Sequence, residues 1–451
     1  MFFSIYTLGC KLNQLETEAI TDAFHKNGFT FVKNGSPGAA LLIVNTCTVT
    51  SMAEQKARRL IRKLLNGNPG ACLIVTGCYA QVEKASIERQ FPERVFVIPG
   101  DKKDALLDLP AFLAGAAGTA DSFSGMQELL RSWQTGDVSV DGAFRFMPEK
   151  FAFHSRGFLK IQDGCNNRCT YCRVCLARGK SRSLEAGEVL ERLKSHERRG
   201  LGEAVLTGVN ISQYNDSGMA LPELLNFLLN GTEGIRLRLS SIEPECLNDD
   251  LIRILSHERI RPHIHLSLQS GSAAILARMG RSYVPADVEK AVEKFRSVRD
   301  DPFLACDIIA GFPGETRAEF DVTKAFCEKL KLAWIHAFPF SRRPGTAAYD
   351  FPERVSEREA KERVEQLTAL AVNGRGEYLE RWKGREVEAI VETGKAAPDA
   401  FVPGISENYL KLRIACGEGQ RPTPGSLIRC RITAEAPKDP CFDACAEKIN
   451  S

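Results

Sequence analysis

Three blocks of hydrophobic patterning follow one another along the chain. Over residues 1–112, short and wholly apolar runs alternate with amphipathic helical patterns. The runs FFSIYTL, ALLIVNT and ACLIVTG read as strands, with QLETEAITDAFHKNG and SMAEQKARRLIRKLLNG as the helices between them. Strands that are apolar on both faces and alternate with helices predict a parallel sheet covered on both sides. Residues 113–150 open with AGAAGTADSFSG, a composition that predicts a linker. A second alternating block occupies residues 151–375, with candidate strands GFLKIQ, EAVLTGV, IRLRLSS, HIHLSLQ, FLACDIIAGF and WIHAFPF. Six such units in about 180 residues predict a barrel-like sheet left open, since eight units normally need about 250 residues. After a charged helical pattern, residues 380–438 carry short strand-like runs between Gly/Pro turns and predict a small β-barrel, with 439–451 as a tail. The fold class expected is therefore α/β: an amino-terminal parallel α/β domain, a central partial (β/α)6 barrel and a carboxy-terminal β-barrel.

Composition narrows the setting. A chain of 451 residues is too long for one core. The hydrophobic share of 43% and charged share of 26% are those of a soluble globular protein. A net charge of +3 means that any nucleic-acid surface must be local. MFFSIYTLGCKLN has no basic n-region and no long apolar run, and no stretch reaches the roughly 18 apolar residues of a membrane span. The expectation is a cytoplasmic protein without a membrane partner, whose fifteen cysteines stay reduced. An odd cysteine count also fits poorly with a closed disulfide framework.

The cysteines are not scattered. Cys10, Cys47 and Cys78 each follow an apolar run directly, in YTLGC, IVNTC and IVTGC. The carboxyl ends of strands in an open parallel sheet share one edge, where ligand sites form. One such cysteine would be a small buried hydrophobe, but three at equivalent places fit three thiolate ligands to a metal centre with a fourth position free. Cys165, Cys169 and Cys172 form a second group, CxxxCxxC, just after GFLKIQ. Three thiolates hold three corners of a 4Fe–4S cube, where a fully protein-ligated cube takes four. The uncovered iron can chelate a small molecule, and S-adenosylmethionine is the known partner for this spacing, with Tyr171 placed as the aromatic beside its adenine. Cys175 keeps two alternatives open: four thiolates could close a zinc site or occupy every iron.

Taken in order, TLGCKLNQLETE, VNTCTVT, VTGCYAQ, KIQDGCNNRCTYC, RGKSRS, LTGVNISQY, LSSIEP, HLSLQSGS, LARMGRSY, DIIAGFPGET and FPFSRRPGT resemble the radical S-adenosylmethionine methylthiotransferases over nearly the whole chain. The resemblance implies an amino-terminal domain with a second cluster, a central radical barrel and a carboxy-terminal RNA-binding barrel of the TRAM type, the last through GISENYLKLRI. It implies two 4Fe–4S clusters, one on Cys10, Cys47 and Cys78 and one on Cys165, Cys169 and Cys172, with S-adenosylmethionine as cofactor. GCKLNQLETE and NTCTVT, with Lys11 and Gln14, look most like the branch that acts on N6-threonylcarbamoyladenosine beside the tRNA anticodon. The isopentenyladenosine branch, the branch acting on a ribosomal-protein aspartate, and a non-catalytic iron–sulfur or zinc RNA-binding protein are the alternatives. The family pattern after the third cysteine is replaced here by RVCL, so Cys175 takes the usual proline position and is expected not to be a ligand.

The chemistry implied is radical, because adenosine C2–H has neither an acidic proton nor a leaving group. The partners implied are the tRNA anticodon stem-loop and an electron donor such as flavodoxin or ferredoxin. Gly208, Ser240 and Gln269, at the ends of barrel strands, are the further residues expected around S-adenosylmethionine; Glu243 and Asp307 are given no role. Arg156 to Arg182 holds seven Lys/Arg and one Asp, which predicts an RNA-contacting surface over a merely solvated loop. Nine Lys/Arg against seven Asp/Glu between Arg381 and Ala436 are too balanced to indicate RNA binding. Cys441 and Cys445, in CFDAC, are read as a tail pair without function.

Overall fold

The computed structural model describes residues 1–33, 38–116, 118–119, 122–135, 142, 144–393, 401–417, 421–433 and 441–449. In the first domain β1 (Phe2–Thr7), β2 (Thr30–Phe31), β3 (Leu41–Thr46), β4 (Cys72–Gly77) and β5 (Val95–Val97) form one parallel sheet in the order 2-1-3-4-5. β3 and β4 are buried along their whole length. One face packs Phe3, Ile5, Leu41, Ile43 and Ile74 against Ile20 and Phe24 of helix α1 (Lys11–Lys26). The other packs Leu42, Val44, Leu73 and Val75 against Ala57, Ile61 and Leu64 of helix α2 (Ser51–Gly67). The i, i+4, i+7 spacing of those three residues gives α2 a single apolar stripe, and the Thr50 side chain caps it by accepting from the Ala53 N–H.

The stretch expected as a linker, 113–150, contains a helix at Phe123–Thr135, whose Met126 and Leu130 are buried in the first domain's core. Its Gly/Ala/Ser-rich preamble hid an amphipathic pattern that the sheet could use.

The central domain holds β6 (Gly157–Lys160), the short antiparallel pair β7 (Gln162–Asp163) and β8 (Arg182–Ser183), β9 (Glu203–Thr207), the hairpin β10 (Asn215–Asp216) and β11 (Met219–Ala220), β12 (Arg236–Leu239), β13 (His263–Gln269), β14 (Phe303–Ala310) and β15 (Trp334–Pro339). β6, β9 and β12 form one parallel set and β13, β14 and β15 another. Bridges from Leu237 to Ile260 and from Ile242 to Leu266 join the two sets. No pairing among the described residues links β15 back to β6, so the six-stranded barrel is open. Alternate residues such as Leu206, Leu237, Leu266 and Ile308 point outward into the helical layer, which leaves the other alternation to line the lumen.

The carboxy-terminal domain is a closed barrel of β16 (Glu386–Val391), β17 (Phe401–Ser406), β18 (Lys411–Ala415), β19 (Leu427–Ile432) and β20 (Ala444–Lys448), in the order 16-17-18-20-19. The segment expected as a tail thus supplies the strand that shuts the barrel, pairing parallel with β18 and antiparallel with β19. Ala444 and Ala446 face its core, and so small a pair of apolar residues gives little sequence signal. A helix at Glu357–Trp382 ties this barrel to the central one: Leu367 and Ala371 pack in the central core, and Tyr378 and Trp382 in the terminal one.

The floor of the central barrel is plugged by charge. Glu203 accepts from Arg238 at 2.7 and 2.9 Å and from Arg261 at 2.8 Å, all three side chains being fully buried. Arg238 also donates to the Ser406 and Glu407 carbonyls, and Arg261 donates to Glu388 at 2.8 Å, so the terminal barrel sits on the plug. Burial alone would push the Glu203 carboxyl up, but Arg238 and Arg261 hold it well below the usual carboxylate range. Removing one member of such a network strands the others. Glu203→Ala is therefore expected to destabilise the protein by about 3–5 kcal/mol, seen as a lower urea midpoint.

Candidate functional site

The loop carrying CxxxCxxC leaves β7 and returns to β8, so the pairing of Gln162 with Ser183 and Asp163 with Arg182 ties its ends together. Gly164 sits at the crossing with φ +73°, where a Cβ would lie 2.0 Å from the Lys180 carbonyl oxygen. Only glycine fits there. The Cys165 N–H then donates to the Gly179 carbonyl at 3.1 Å, closing the loop. N–H donors point at its sulfurs: Asn167 N–H to Cys165 Sγ at 3.4 Å, Val174 N–H to Cys172 Sγ at 3.4 Å and Arg281 Nη1 to Cys169 Sγ at 3.2 Å.

Burial, with Cys169 adding to it, pushes the Cys165 thiol up, and burial, aided by Cys169, Cys175 and Cys165, pushes Cys172 up to about 12. A bound metal would take the proton's place, since thiolate is the binding form. This donor set fits a cluster: three sulfurs, each met by an N–H group. Among the described residues, no three His, Cys, Asp or Glu side chains converge as ligands of a single ion do. Cys175 is half-buried at the start of the helix Val174–Arg178.

The residues expected around the cofactor fall at the same end of the barrel. Tyr171 packs among Ile275, Met279, Phe312 and Ala348, edge-on to Phe312 at 6.4 Å. Ser240 is buried with no partner for its Oγ, and the Asn210 Oδ1 is equally unpartnered. Gln269 ends β13 at φ +67°, beside a register shift from Leu266, a backbone state that clusters at functional sites. Gly208 contributes by packing. A Cβ there would come within 2.8 Å of Gln162 Oε1, the atom that accepts from the Asn210 N–H at 2.8 Å.

Sequence reasoning missed Arg281. Besides Cys169 it donates to the Ser267 carbonyl at 2.9 Å and to the Glu243 carboxylate. Burial pushes Glu243 up to about 7 against the pull of Arg281. The signal was present in LARMGRSY, but no spacing rule connects Arg281 to Cys169.

The second trio is assembled by strand order. In a 2-1-3-4-5 sheet the carboxyl ends of β1, β3 and β4 are neighbours, and the chain reverses direction across the sheet between β1 and β3. Cys10 follows β1, Cys47 follows β3 and Cys78 opens the helix Cys78–Val82 after β4. Two glycines permit the approach. Gly9 has φ +110° and a Cβ there would lie 2.6 Å from Cys47 Cβ; Gly77 has φ +96° and a Cβ would lie 2.3 Å from the Thr46 carbonyl oxygen. Burial pushes Cys47 up to about 12, and neighbouring Cys10 and Cys78 add to the rise.

One arginine spans the two trios. Arg178, six residues beyond Cys172, donates from Nε to Cys78 Sγ at 3.4 Å. Its Nη1 reaches Glu16 at 3.0 Å and Asp163 at 3.2 Å, and its Nη2 reaches Asn13 at 2.9 Å. Lys103 and Lys160 also pair with Glu16.

These contacts revise the reading of the basic stretch. Arg156 pairs with Glu392, Lys160 with Asp163, Arg173 with Glu54 and Glu83, and Arg178 with Glu16. Only Arg168, Lys180 and Arg182 of the seven are exposed. Apart from Asp163, the partners lie far away in sequence, so a local count of charge could not see them. Cys445 stands on β20 and Cys441 just before it, in no described metal-binding group.

The two cysteines that sequence places in doubt separate experimentally. After anaerobic reconstitution, Cys175→Ser is expected to keep the wild-type iron and sulfide content, while Cys172→Ser loses one cluster's worth of both.

Residues 3–99 match the family described as "Uncharacterized protein family UPF0004", and residues 159–327 match the "Radical SAM superfamily". Among solved structures, the radical S-adenosylmethionine methyltransferase TsrM from Kitasatospora setae resembles this fold with a TM-score of 0.51 at 15% identity, covering 77% of this chain and 76% of that one. The threonylcarbamoyladenosine tRNA methylthiotransferase MtaB of Treponema pallidum is 41% identical over 96% of this chain and 98% of its own length. Its namesake from Thermotoga maritima is 36% identical over 90% of each. A tRNA-2-methylthio-N(6)-dimethylallyladenosine synthase from Cereibacter sphaeroides is 30% identical over 96% of each chain. Superfamily membership makes S-adenosylmethionine and a 4Fe–4S cluster this enzyme's cofactors, and full-length similarity at this level means that the chain belongs to the radical S-adenosylmethionine methylthiotransferases, in their MtaB-type group.

Proposed function

We propose that the protein converts N6-threonylcarbamoyladenosine beside the tRNA anticodon to its 2-methylthio derivative. The observation that carries this reading is the 41% and 36% identity, over nearly the whole chain, to enzymes named for threonylcarbamoyladenosine, and the pair of three-thiol sites flanking Arg178 supports the chemistry. Cys165, Cys169 and Cys172 are the proposed ligands of the cluster that engages S-adenosylmethionine. Cys10, Cys47 and Cys78 are the proposed ligands of a second 4Fe–4S cluster. When bound, these groups supply one-electron and sulfur-transfer chemistry that no side chain provides.

The chain's own residues orient and insulate. Arg281 and the two loop N–H groups balance negative charge at the first trio, and Arg178 does so at the second. Tyr171 and its apolar neighbours shield the cofactor's adenine side from water. Ser240 and Gln269 offer hydrogen bonds to its polar groups. Electrons come from a small carrier such as flavodoxin or ferredoxin, and the terminal barrel grips RNA. A tRNA substrate implies a cytoplasmic protein, consistent with there being no described helix long and apolar enough to cross a membrane.

Mass spectrometry of tRNA nucleosides from cells lacking the gene tests the reading. The methylthio form of threonylcarbamoyladenosine is expected to vanish and the isopentenyl counterpart to persist; the reverse result overturns the assignment.

A further inference from the structure

The first domain enters the barrel lumen on one side. Leu15 of α1 packs on Phe158 and Val205, the lumen-facing residues of β6 and β9, and Glu16 pairs with Lys160. The wall built by β13, β14 and β15 is left uncovered. Its outward alternation, with Ile264, Leu266, Ile308 and Ile335, belongs to the helical core. Its inward alternation presents Trp334, His336 and Phe338 along β15, with Asp307 and Ile309 beside them on β14.

The rings form a ladder. His336 stacks on His265 at 5.2 Å and 18°, and lies parallel to Phe338 at 6.4 Å and 14°. Trp334 stands edge-on to His336 at 6.0 Å. His336 is exposed and Phe338 is 41% exposed, while Ile335 on the same strand's other face is buried. Parallel rings that stay this exposed offer area for a further ring to stack on.

Register gives the ladder a direction. Phe338 is level with Ile309, which packs against the same apolar cluster as Tyr171 at the cofactor end. His336 is level with Asp307, and Trp334 with Ala305, which belongs to the floor cluster under the terminal barrel. Lys11, the first residue of α1, reaches the floor, where its amine lies 5.7 Å from the Tyr409 ring. Among the described residues Lys11 forms no ion pair with a carboxylate, whereas the floor arginines Arg156, Arg238 and Arg261 each have one. A planar ring near the cofactor and an anion at the floor would complement this wall.

We infer that His336 and Phe338 stack the target purine, extruded from its RNA strand, and that Lys11 receives the carboxylate of its N6 substituent. The assignment rests on the substrate proposed above. An extruded base stacked on aromatic rings is the usual way to expose a ring carbon held in a nucleic acid. Its N6 substituent then runs along the ladder toward the floor, leaving the opposite edge of the six-membered ring toward the cofactor end. An isopentenyl group in place of the threonylcarbamoyl group would leave the Lys11 amine with no carboxylate in contact, so the same residue provides discrimination.

The test uses the full, reconstituted protein with anticodon stem-loop RNA carrying threonylcarbamoyladenosine and the same RNA carrying unmodified adenosine. Wild type is measured first. If it does not prefer the modified RNA, the substrate proposal itself fails. Given that preference, Lys11→Met is expected to reduce the ratio of the two affinities roughly tenfold, as loss of a charge-assisted hydrogen bond does. Phe338→Ala is expected to weaken binding of the modified RNA and raise its KM, and Phe338→Tyr to restore both. Lys11 adjoins Cys10, so iron content is measured in every variant; His336→Ala, remote in sequence from any cluster cysteine, repeats the stacking test independently. A wild-type affinity ratio in Lys11→Met, or wild-type binding and KM in both Phe338→Ala and His336→Ala, overturns the inference.

Discussion

Arg178 donates at once to a cysteine of the amino-terminal domain, to Glu16 and Asn13 of α1, and to Asp163 at the foot of the cluster loop. A guanidinium taken out of water persists only when its donors are met by well-placed acceptors. Here those acceptors come from two domains, so the charge is satisfied only when α1 is seated against the loop. Burial would push Arg178 down, yet Glu16, Cys78 and Asp163 hold it well above its ordinary value. The same contacts set the spacing of the two sulfur sites, because the arginine belongs to one site's loop and touches the other site's ligand. Glu54 makes a comparable junction on the far side, accepting from Arg173 and Arg343, with Thr48 bonded to it beside Cys47.

Much of this architecture was legible in the chain because it follows from local rules. All six barrel strands appear where apolar runs announced them. The cysteines that follow strands in the first domain meet at one edge because parallel order leaves them no other place. What escaped was whatever depends on distant partners. The basic stretch looked like a nucleic-acid surface because Glu16, Glu54, Glu83 and Glu392 are far from it in sequence. Strand Ala444–Lys448 escaped because its inward residues are alanines, which suffice only where β18 and β19 wait on either side. The helix at Phe123–Thr135 escaped behind glycines and serines that promised a loop.

The lumen shows how the amino-terminal domain and the barrel divide one space. α1 supplies Leu15 and Glu16 to the wall formed by β6 and β9, and Lys11 to the floor. The remaining wall keeps its rings and polar groups uncovered. Asp307 lies 3.0 Å from His265 in that wall. Two domains that each look self-sufficient in sequence therefore share a cavity that neither encloses alone.

The helix Glu357–Trp382 leaves the central barrel and ends inside the core of the terminal one, with no loose connection between them. At 26 residues it is about 39 Å long. With the charged plug beneath it, this strut turns the terminal barrel into the fixed arm of a caliper. An RNA gripped by that arm would present to the lumen whichever nucleotide lies at the matching span. The position modified would then be chosen by measuring along the molecule, before any base is inspected.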